Sequence, residues 1–305
     1  MRAGQFCRVQ RWGWKFNQPA HNLLCCNMQR VQQDRVMLEI SASPDTFLFL
    51  FQADWQRTYG TRAKEPMMSY PWSSPLLSRF DWLEHAFQPA GERPPAETIY
   101  NQQRHSSRVI LSEAALPVKS VEADGLIASD NRPVAVYTAD CLPILLVDTQ
   151  QQQVAAVHGG LKGILGGVLI NAIHQLCERG ATPESLYIAI GPSIGPCCYE
   201  LGHDLIARAE QDDPHQLSAL MSWSRQPEHN SAAIRPQAQS TTEGVWFNLP
   251  LLAKRIAQRE GVPEAQIELS GICTYCMAEE QASYRRNTHC QHGYQQRFSW
   301  IRRKA

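Results

Sequence analysis

Net charge is the first thing this chain lacks. Its 29 Lys and Arg residues equal its 29 Asp and Glu residues, so it carries no electrostatic footprint of a general nucleic-acid binder. Small anionic ligands need only local charge and stay open. Long apolar runs are missing as well: the longest candidate, residues 46–51, falls far short of a membrane span. No secretory signal is legible near the start, where Trp12, Lys15, Asn17 and Gln18 interrupt any apolar core, and the expected location is the cytoplasm. A second Cys-x-x-Cys is also absent. Cys273 and Cys276 form the single such pair, whereas a zinc ribbon needs two at similar spacing. Cys197 and Cys198 are adjacent, a poor geometry for a mutual disulfide. In a large chain expected in the cytoplasm no disulfide framework is expected, and most thiols are expected to be small buried hydrophobes.

What is present falls into two unequal parts. Residues 1–67 hold scattered Trp, Gln and Arg with no sustained helix or strand period. They are expected to be a peripheral, disordered or untranslated extension ahead of a functional domain over 68–305. From Val109 onward short apolar runs alternate with helical patterns. Strands are expected over 133–137, 143–147, 153–157, 185–190, 266–272 and 297–302. Helices are expected over 165–179, closed by Gly180, over 199–209, and over 249–260, closed by Gly261. Residues 211–242, rich in Gln, Ser, His and Pro, read as a polar surface insertion. Several strand-to-strand connections are too short for crossover helices, which argues for mixed sheets.

Three residues are candidate soft-metal ligands. His105, Cys141 and His158 each lie at the end or edge of an apolar run. Two imidazoles and a thiolate suit zinc, and three protein ligands leave a fourth position for water or substrate. Taken singly, Cys141 reads as a core cysteine between two strands and His105 as a surface histidine. Asp140 shifts the balance, because a carboxylate between buried strands is costly unless it lines a cleft. Gly159, Gly160 and Gly163 follow His158 and let backbone N–H groups approach a ligand closely. Lys162 in that loop is a candidate anion holder.

Residues 80–300 resemble the purine nucleoside phosphorylase family also described as laccase-like polyphenol oxidases. The resemblance rests on Gln103-x-His105 with Val109, Ala123-Asp124-Gly125-Leu126-Ile127, Tyr137-Thr138-Ala139-Asp140-Cys141-Leu142-Pro143, Val154-Ala155-Ala156-Val157-His158 with Gly160 and Gly163, Ile190-Gly191-Pro192-Ser193-Ile194-Gly195-Pro196, and Ser283-Tyr284-Arg285-Arg286. It implies an α+β single domain with mixed β-sheets sandwiched between helical layers. It also implies zinc on His105, Cys141 and His158, and phosphorolysis of adenosine, inosine, guanosine and methylthioadenosine with deamination of adenosine. Asp140 and Cys141 are then candidate catalytic residues, Asp140 as a general acid/base or as a partner of His105 or His158. Lys162 and Arg286 are candidates for holding phosphate, with Gly160 and Gly163 in the same loop.

Four departures from the family pattern stand out. Leu161-Lys162 replaces Trp-Arg, keeping charge but losing the bidentate fork; residues 88–102 are a shortened segment; Gly293-Tyr294-Gln295 lacks a basic side chain; and residues 287–292 look lengthened. Three other readings compete with the zinc enzyme. A copper phenol oxidase should carry repeated His-x-His motifs, and none occurs. An amide hydrolase would use Cys141 as nucleophile and His158 as base. A non-catalytic nucleoside-binding protein would have kept the metal and lost turnover. The expected partners are purine nucleosides and phosphate, with neither nucleic acid nor membrane.

Overall fold

A seven-residue strand that is buried along its whole length organises the molecule. In the computed structural model, which describes residues 72–304, this strand is β5 (Leu142–Asp148). A continuous aliphatic run of this kind needs cover on both faces. It lies in a six-stranded sheet with β2 (Val109–Leu111), β3 (Gly125–Ile127), β6 (Gln153–Gly159), β7 (Leu186–Ile190) and β11 (Ile267–Leu269), in the order β11-β7-β5-β6-β3-β2. The sheet is mixed. β11 runs parallel to β7 and β2 parallel to β3, while β5 is antiparallel to both β6 and β7.

One face of this sheet is covered by helices α2 (Val168–Glu178) and α4 (Leu249–Arg259). Leu169, Ile173 and Leu176 of the first, and Leu252, Ala253 and Ile256 of the second, pack on Ile144, Leu146, Val157 and Ile188. The other face meets a three-stranded antiparallel sheet of β1 (Leu83–Phe87), β12 (Arg297–Arg303) and β4 (Val134–Thr138), in the order β1-β12-β4. There Phe87, Val134, Val136 and Ile301 meet Leu145, Val147 and Ala156. Alternation along β5 thus sends odd and even residues into different cores. The α+β class with mixed sheets matches the expectation from sequence.

Element boundaries differ from the sequence pattern where a side chain or glycine intervenes. The helix expected over 165–179 is α2, which starts at Val168; a short α1 (Leu161–Leu165) precedes it, and the two are separated at Gly167, whose φ of 88° is left-handed. The helix expected over 199–209 starts late. Glu200–Leu201 form β8, which pairs with β10 (Val245–Phe247), itself paired with β9 (Trp223–Ser224), and α3 follows at His203–Gln211. The buried Glu200 carboxylate explains this, since it accepts from Ser240 Oγ, Thr241 N and Gly244 N at 2.5, 2.8 and 3.0 Å. Those bonds outweigh burial and hold its pKa down to about 2. The last helix is α5 (Tyr284–Cys290), capped by Ser283, whose Oγ accepts from Arg286 N at 3.0 Å.

The β5–β6 hairpin positions the site. At one end, Asp148 is buried and accepts from Gln150 N at 3.0 Å and Gln151 N at 2.8 Å, pinning the turn. At the other end the register pairs Pro143 with His158 and Leu142 with Gly159. Cys141 and His158 are therefore delivered to the same edge by ordinary antiparallel pairing. The expectation of an extension over residues 1–67 falls outside the described residues.

Candidate metal centre

His105, Cys141 and His158 come together. Their ligand atoms all lie within 4.8 Å of one another. His105 Nε2 is 3.6 Å from Cys141 Sγ, and the two imidazole rings stand edge to face with centroids 4.8 Å apart. His158 is buried, Cys141 is partly exposed and His105 is open to solvent, so the cluster has a closed floor and an accessible side. Gly160 keeps it open: a Cβ there would sit 2.2 Å from His105 Cδ2 and 3.2 Å from Cys141 Sγ. A Cβ on Gly163 would meet the Ser106 carbonyl at 3.1 Å, so the α1 backbone packs close against the His105 loop.

The residue that assembles the site is Asp124, immediately before β3. It is buried, and its Oδ1 accepts from His105 N at 2.9 Å and lies 2.7 Å from His158 Nδ1. Its Oδ2 accepts from Arg104 N, Ser106 N and Ser106 Oγ at 3.1, 2.7 and 2.6 Å. Burial pushes this carboxyl up, but His158, Ser106 and Arg104 outweigh it and hold the pKa at about 2. An ionised carboxylate only accepts, so the proton on His158 sits on Nδ1 and Nε2 is left free for a cation. The same carboxylate holds His105 in a left-handed turn, φ 57°. Sequence reasoning noticed Ala123-Asp124-Gly125 and gave Asp124 no role. The available signal was an acidic residue immediately before an all-buried strand.

Electrostatics suit a cation. His105 is held below the ordinary histidine value by burial first, then by His158 and Lys162, against Asp124, which keeps the ring neutral and its lone pair available. Burial, with the charges of Asp140 and Asp124, pushes the Cys141 thiol up to about 12. Without a cation this thiol keeps its proton, whereas coordination by a divalent metal deprotonates it. Two imidazoles, the His105 ring held toward its neutral form, a thiol that ionises only on ligation, and an anionic carboxylate behind His158 together fit a divalent ion.

The other candidate residues divide. Lys162 is exposed and close enough for its charge to act on His105. Asp140, φ 95°, is buried, and it bonds neither to His105 nor to His158; Asp124 makes those contacts. Asp140 accepts from Thr274 Oγ1 at 2.6 Å, Ser283 Oγ at 2.9 Å and Arg285 N at 2.6 Å. Burial outweighs these bonds and raises its pKa. Arg286, expected to hold phosphate, is buried instead. Its Nη1 donates to Tyr275 O at 2.6 Å and its guanidinium lies 5.2 Å over the Tyr275 ring. Arg286, three residues after the Ser283 cap, faces inward, while Arg285 stays partly exposed and donates to Glu200 O. A cavity of about 260 Å³ lies elsewhere, behind the 191–196 loop, lined by Ile190, Pro196, His229 and Asn248.

Residues 84–302 match the family described as multi-copper polyphenol oxidoreductase laccase. The chain belongs to that family. Among its relatives, a purine nucleoside phosphorylase of Haemophilus influenzae is 31% identical over 195 residues, 63% of this chain and 70% of that protein. Adenosine deaminase RL5, from an unknown prokaryotic organism, is 30% identical over 189 residues, 59% of this chain and 66% of that protein. Crystal structures of Bacillus licheniformis YfiH and Geobacillus stearothermophilus YlmD share the fold, with TM-scores of 0.57 and 0.56 at 21% identity. They cover 73% and 76% of this chain and 94% of each neighbour. No helix of the described residues is long and apolar enough to cross a membrane.

Proposed function

We propose that this protein is a zinc-dependent purine nucleoside phosphorylase that also deaminates adenosine, with adenosine, inosine, guanosine and methylthioadenosine as its substrate class. The observation that carries this reading is the convergence of His105, Cys141 and His158 with Asp124 behind His158. The names of the Haemophilus phosphorylase and the RL5 deaminase support the substrate class. When bound, zinc on these three ligands supplies Lewis acidity at an open fourth position.

The chain's own residues do the rest. Asp124 fixes the His158 tautomer and the His105 turn, so the donor set is organised before any ligand arrives. Gly160 leaves the space above the cluster unfilled, and Gly163 brings α1 against the His105 loop. Lys162, exposed beside His105, is the cation placed to hold phosphate. Both Asp140 oxygens are occupied by Thr274, Ser283 and Arg285, so Asp140 positions Cys141 and the α5 loop and does not shuttle a proton. The raised thiol of Cys141 disfavours the amide-hydrolase reading, which needs a thiolate near neutral pH.

A second reading keeps one specific observation: two histidines and a cysteine are also the donor set of a blue-copper site. One experiment separates the two. Metal content of the purified protein is measured, followed by turnover of adenosine and inosine with and without phosphate. Zinc with phosphate-dependent release of free base supports the proposal, and inosine formed from adenosine supports the deaminase activity. Copper with an intense thiolate charge-transfer band and phenol oxidation overturns it. His105→Ala, Cys141→Ala and His158→Ala should each abolish turnover while the protein stays folded.

A further inference from the structure

Four more cysteines converge outside this site. We propose that Cys197, Cys198, Cys273 and Cys276 form a separate structural site for one zinc ion. Cys197 and Cys198 lie in the turn that follows β7, and Cys273 and Cys276 in the loop that follows β11. All four are buried, with relative exposures of 4, 0, 5 and 1%. Their sulfurs lie within 4.8 Å of one another, with Cys276 Sγ 3.9 Å from Cys197 Sγ and 3.3 Å from Cys198 Sγ.

These separations match one tetrahedral ion. With zinc–sulfur bonds of about 2.3 Å, the edge of a ZnS4 tetrahedron is about 3.8 Å. They are too long for disulfides, which need about 2.05 Å, and all four thiols are free. A four-iron cluster holds its thiolates much farther apart, so one ion fills the space and a cluster does not. The pattern expected for a ribbon was a second Cys-x-x-Cys; here the second pair is an adjacent Cys-Cys. The turn makes this workable, since Cys198 N and Tyr199 N both donate to Gly195 O, at 2.9 and 3.0 Å.

Packing alone does not account for the surroundings. Backbone and amide N–H groups point at three of the sulfurs: Gly195 N to Cys273 at 3.3 Å, Ala238 N to Cys198 at 3.3 Å, and Asn230 Nδ2 to Cys197 at 3.8 Å. Such donors stabilise negative sulfur, which four thiolates on one divalent ion carry in excess. A buried cation contacts the Cys-x-x-Cys turn. Arg286 is 3% exposed, donates to the carbonyl of Tyr275, which lies between the Cys-x-x-Cys sulfurs in sequence, and has a buried Nε without a partner. Among the described residues no carboxylate pairs with this guanidinium, and an anionic metal–thiolate centre across the Tyr275 turn would supply the opposite charge. Ion binding exchanges the thiol protons for the cation.

Closure by four protein ligands makes this site structural and not catalytic. Its mechanical effect reaches the first site. Ser193 N donates to Ile272 O and Thr274 N to Ser193 O, and Thr274 Oγ1 donates to Asp140, the neighbour of Cys141. Zinc on the four cysteines would lock the two loops that hold Asp140 in place. The polar segment 211–242 joins in, since Asn230 and Ala238 cover the sulfurs.

The test counts zinc and sulfur on the full chain purified under reducing conditions. The expected result is about two zinc per chain. Cys273→Ser and Cys198→Ser should each remove about one zinc and lower the melting temperature, whereas His158→Ala should remove about one and leave the tetrathiolate zinc in place. X-ray absorption of the wild-type zinc needs no variant to fold; it should show a mean sulfur coordination of about 2.5, against about one for the first site alone. Zinc content unchanged in Cys273→Ser, a mean of about one sulfur per zinc, or a disulfide between Cys198 and Cys276 found by peptide mapping would overturn the proposal. Loss of all zinc in His158→Ala would also overturn it while leaving the first site standing. Zinc retained with sulfur-only coordination in a protein that turns over no nucleoside would support it independently of the proposed activity.

Discussion

Replacing Asp124 with asparagine should separate metal affinity from fold more sharply than removing any ligand. The carboxylate accepts five contacts, from His105 N, His158 Nδ1, Arg104 N, Ser106 N and Ser106 Oγ. Asparagine keeps one accepting oxygen and turns an NH2 toward the remaining donors. Each buried N–H left unpaired costs roughly 1–3 kcal/mol. The charge contributes separately. Lowering a carboxyl from 3.8 to about 2 on folding corresponds to roughly 2 kcal/mol. Because the folded value is the lower one, this contribution is complete above about pH 4 and disappears as pH falls through about 2. Urea midpoints measured across that window should fall with pH in both proteins, since Glu200 is also held at about 2, but fall less in Asp124→Asn by the share that Asp124 contributes. At neutral pH the variant should bind zinc about 10–100-fold more weakly in chelator competition, as expected when the partner of a metal-bound histidine is removed. Affinity within twofold of wild type, with a circular dichroism spectrum unchanged, would refute the role assigned to Asp124.

Other expectations follow from the same geometry. Gly160→Ala places a methyl 2.2 Å from His105 Cδ2; His105 is on an exposed loop and yields, so the protein should fold normally but lose at least tenfold in zinc affinity, measurable by the same competition. Lys162→Gln should raise KM for phosphate several-fold with little change in Tm, whereas Arg286→Ala should lower Tm and leave phosphate saturation alone; the opposite pattern would return Arg286 to the phosphate site. In metal-free protein, Cys141 should alkylate slowly at neutral pH and faster as pH rises toward about 12, read by peptide mapping; rapid labelling at pH 7 would revive the nucleophile reading.

The strands that carry Cys141 and His158 were legible because β-branched and aliphatic runs ended at polar or glycine-rich turns, and their boundaries shifted by only a residue or two. His105 could be placed only by family resemblance. Its local sequence is polar, and its position depends on a carboxylate 19 residues away. Arg286 was misplaced because adjacent arginines on a helix point in different directions, and sequence alone does not say which one the Ser283 cap turns inward. The cysteine cluster escaped notice for a related reason. Its two pairs lie 75 or more residues apart and are brought together by the parallel pairing of β7 with β11 and by the bonds between the loops that follow those strands.

The Asp148 turn controls more than its own corner. In a two-stranded ribbon the register is set at the closed end and expressed at the open one. β5 is seven residues long, so the turn lies roughly 20 Å from the cysteine and histidine whose pairing it sets. Inserting or deleting a single residue among positions 149–152 would slide β6 by one place and rotate His158 to the opposite face. Length variation in that distant surface turn is therefore tolerable only in steps that preserve the phase of the ribbon. A library of turn lengths should show activity returning with register and not declining smoothly with distance from the parent.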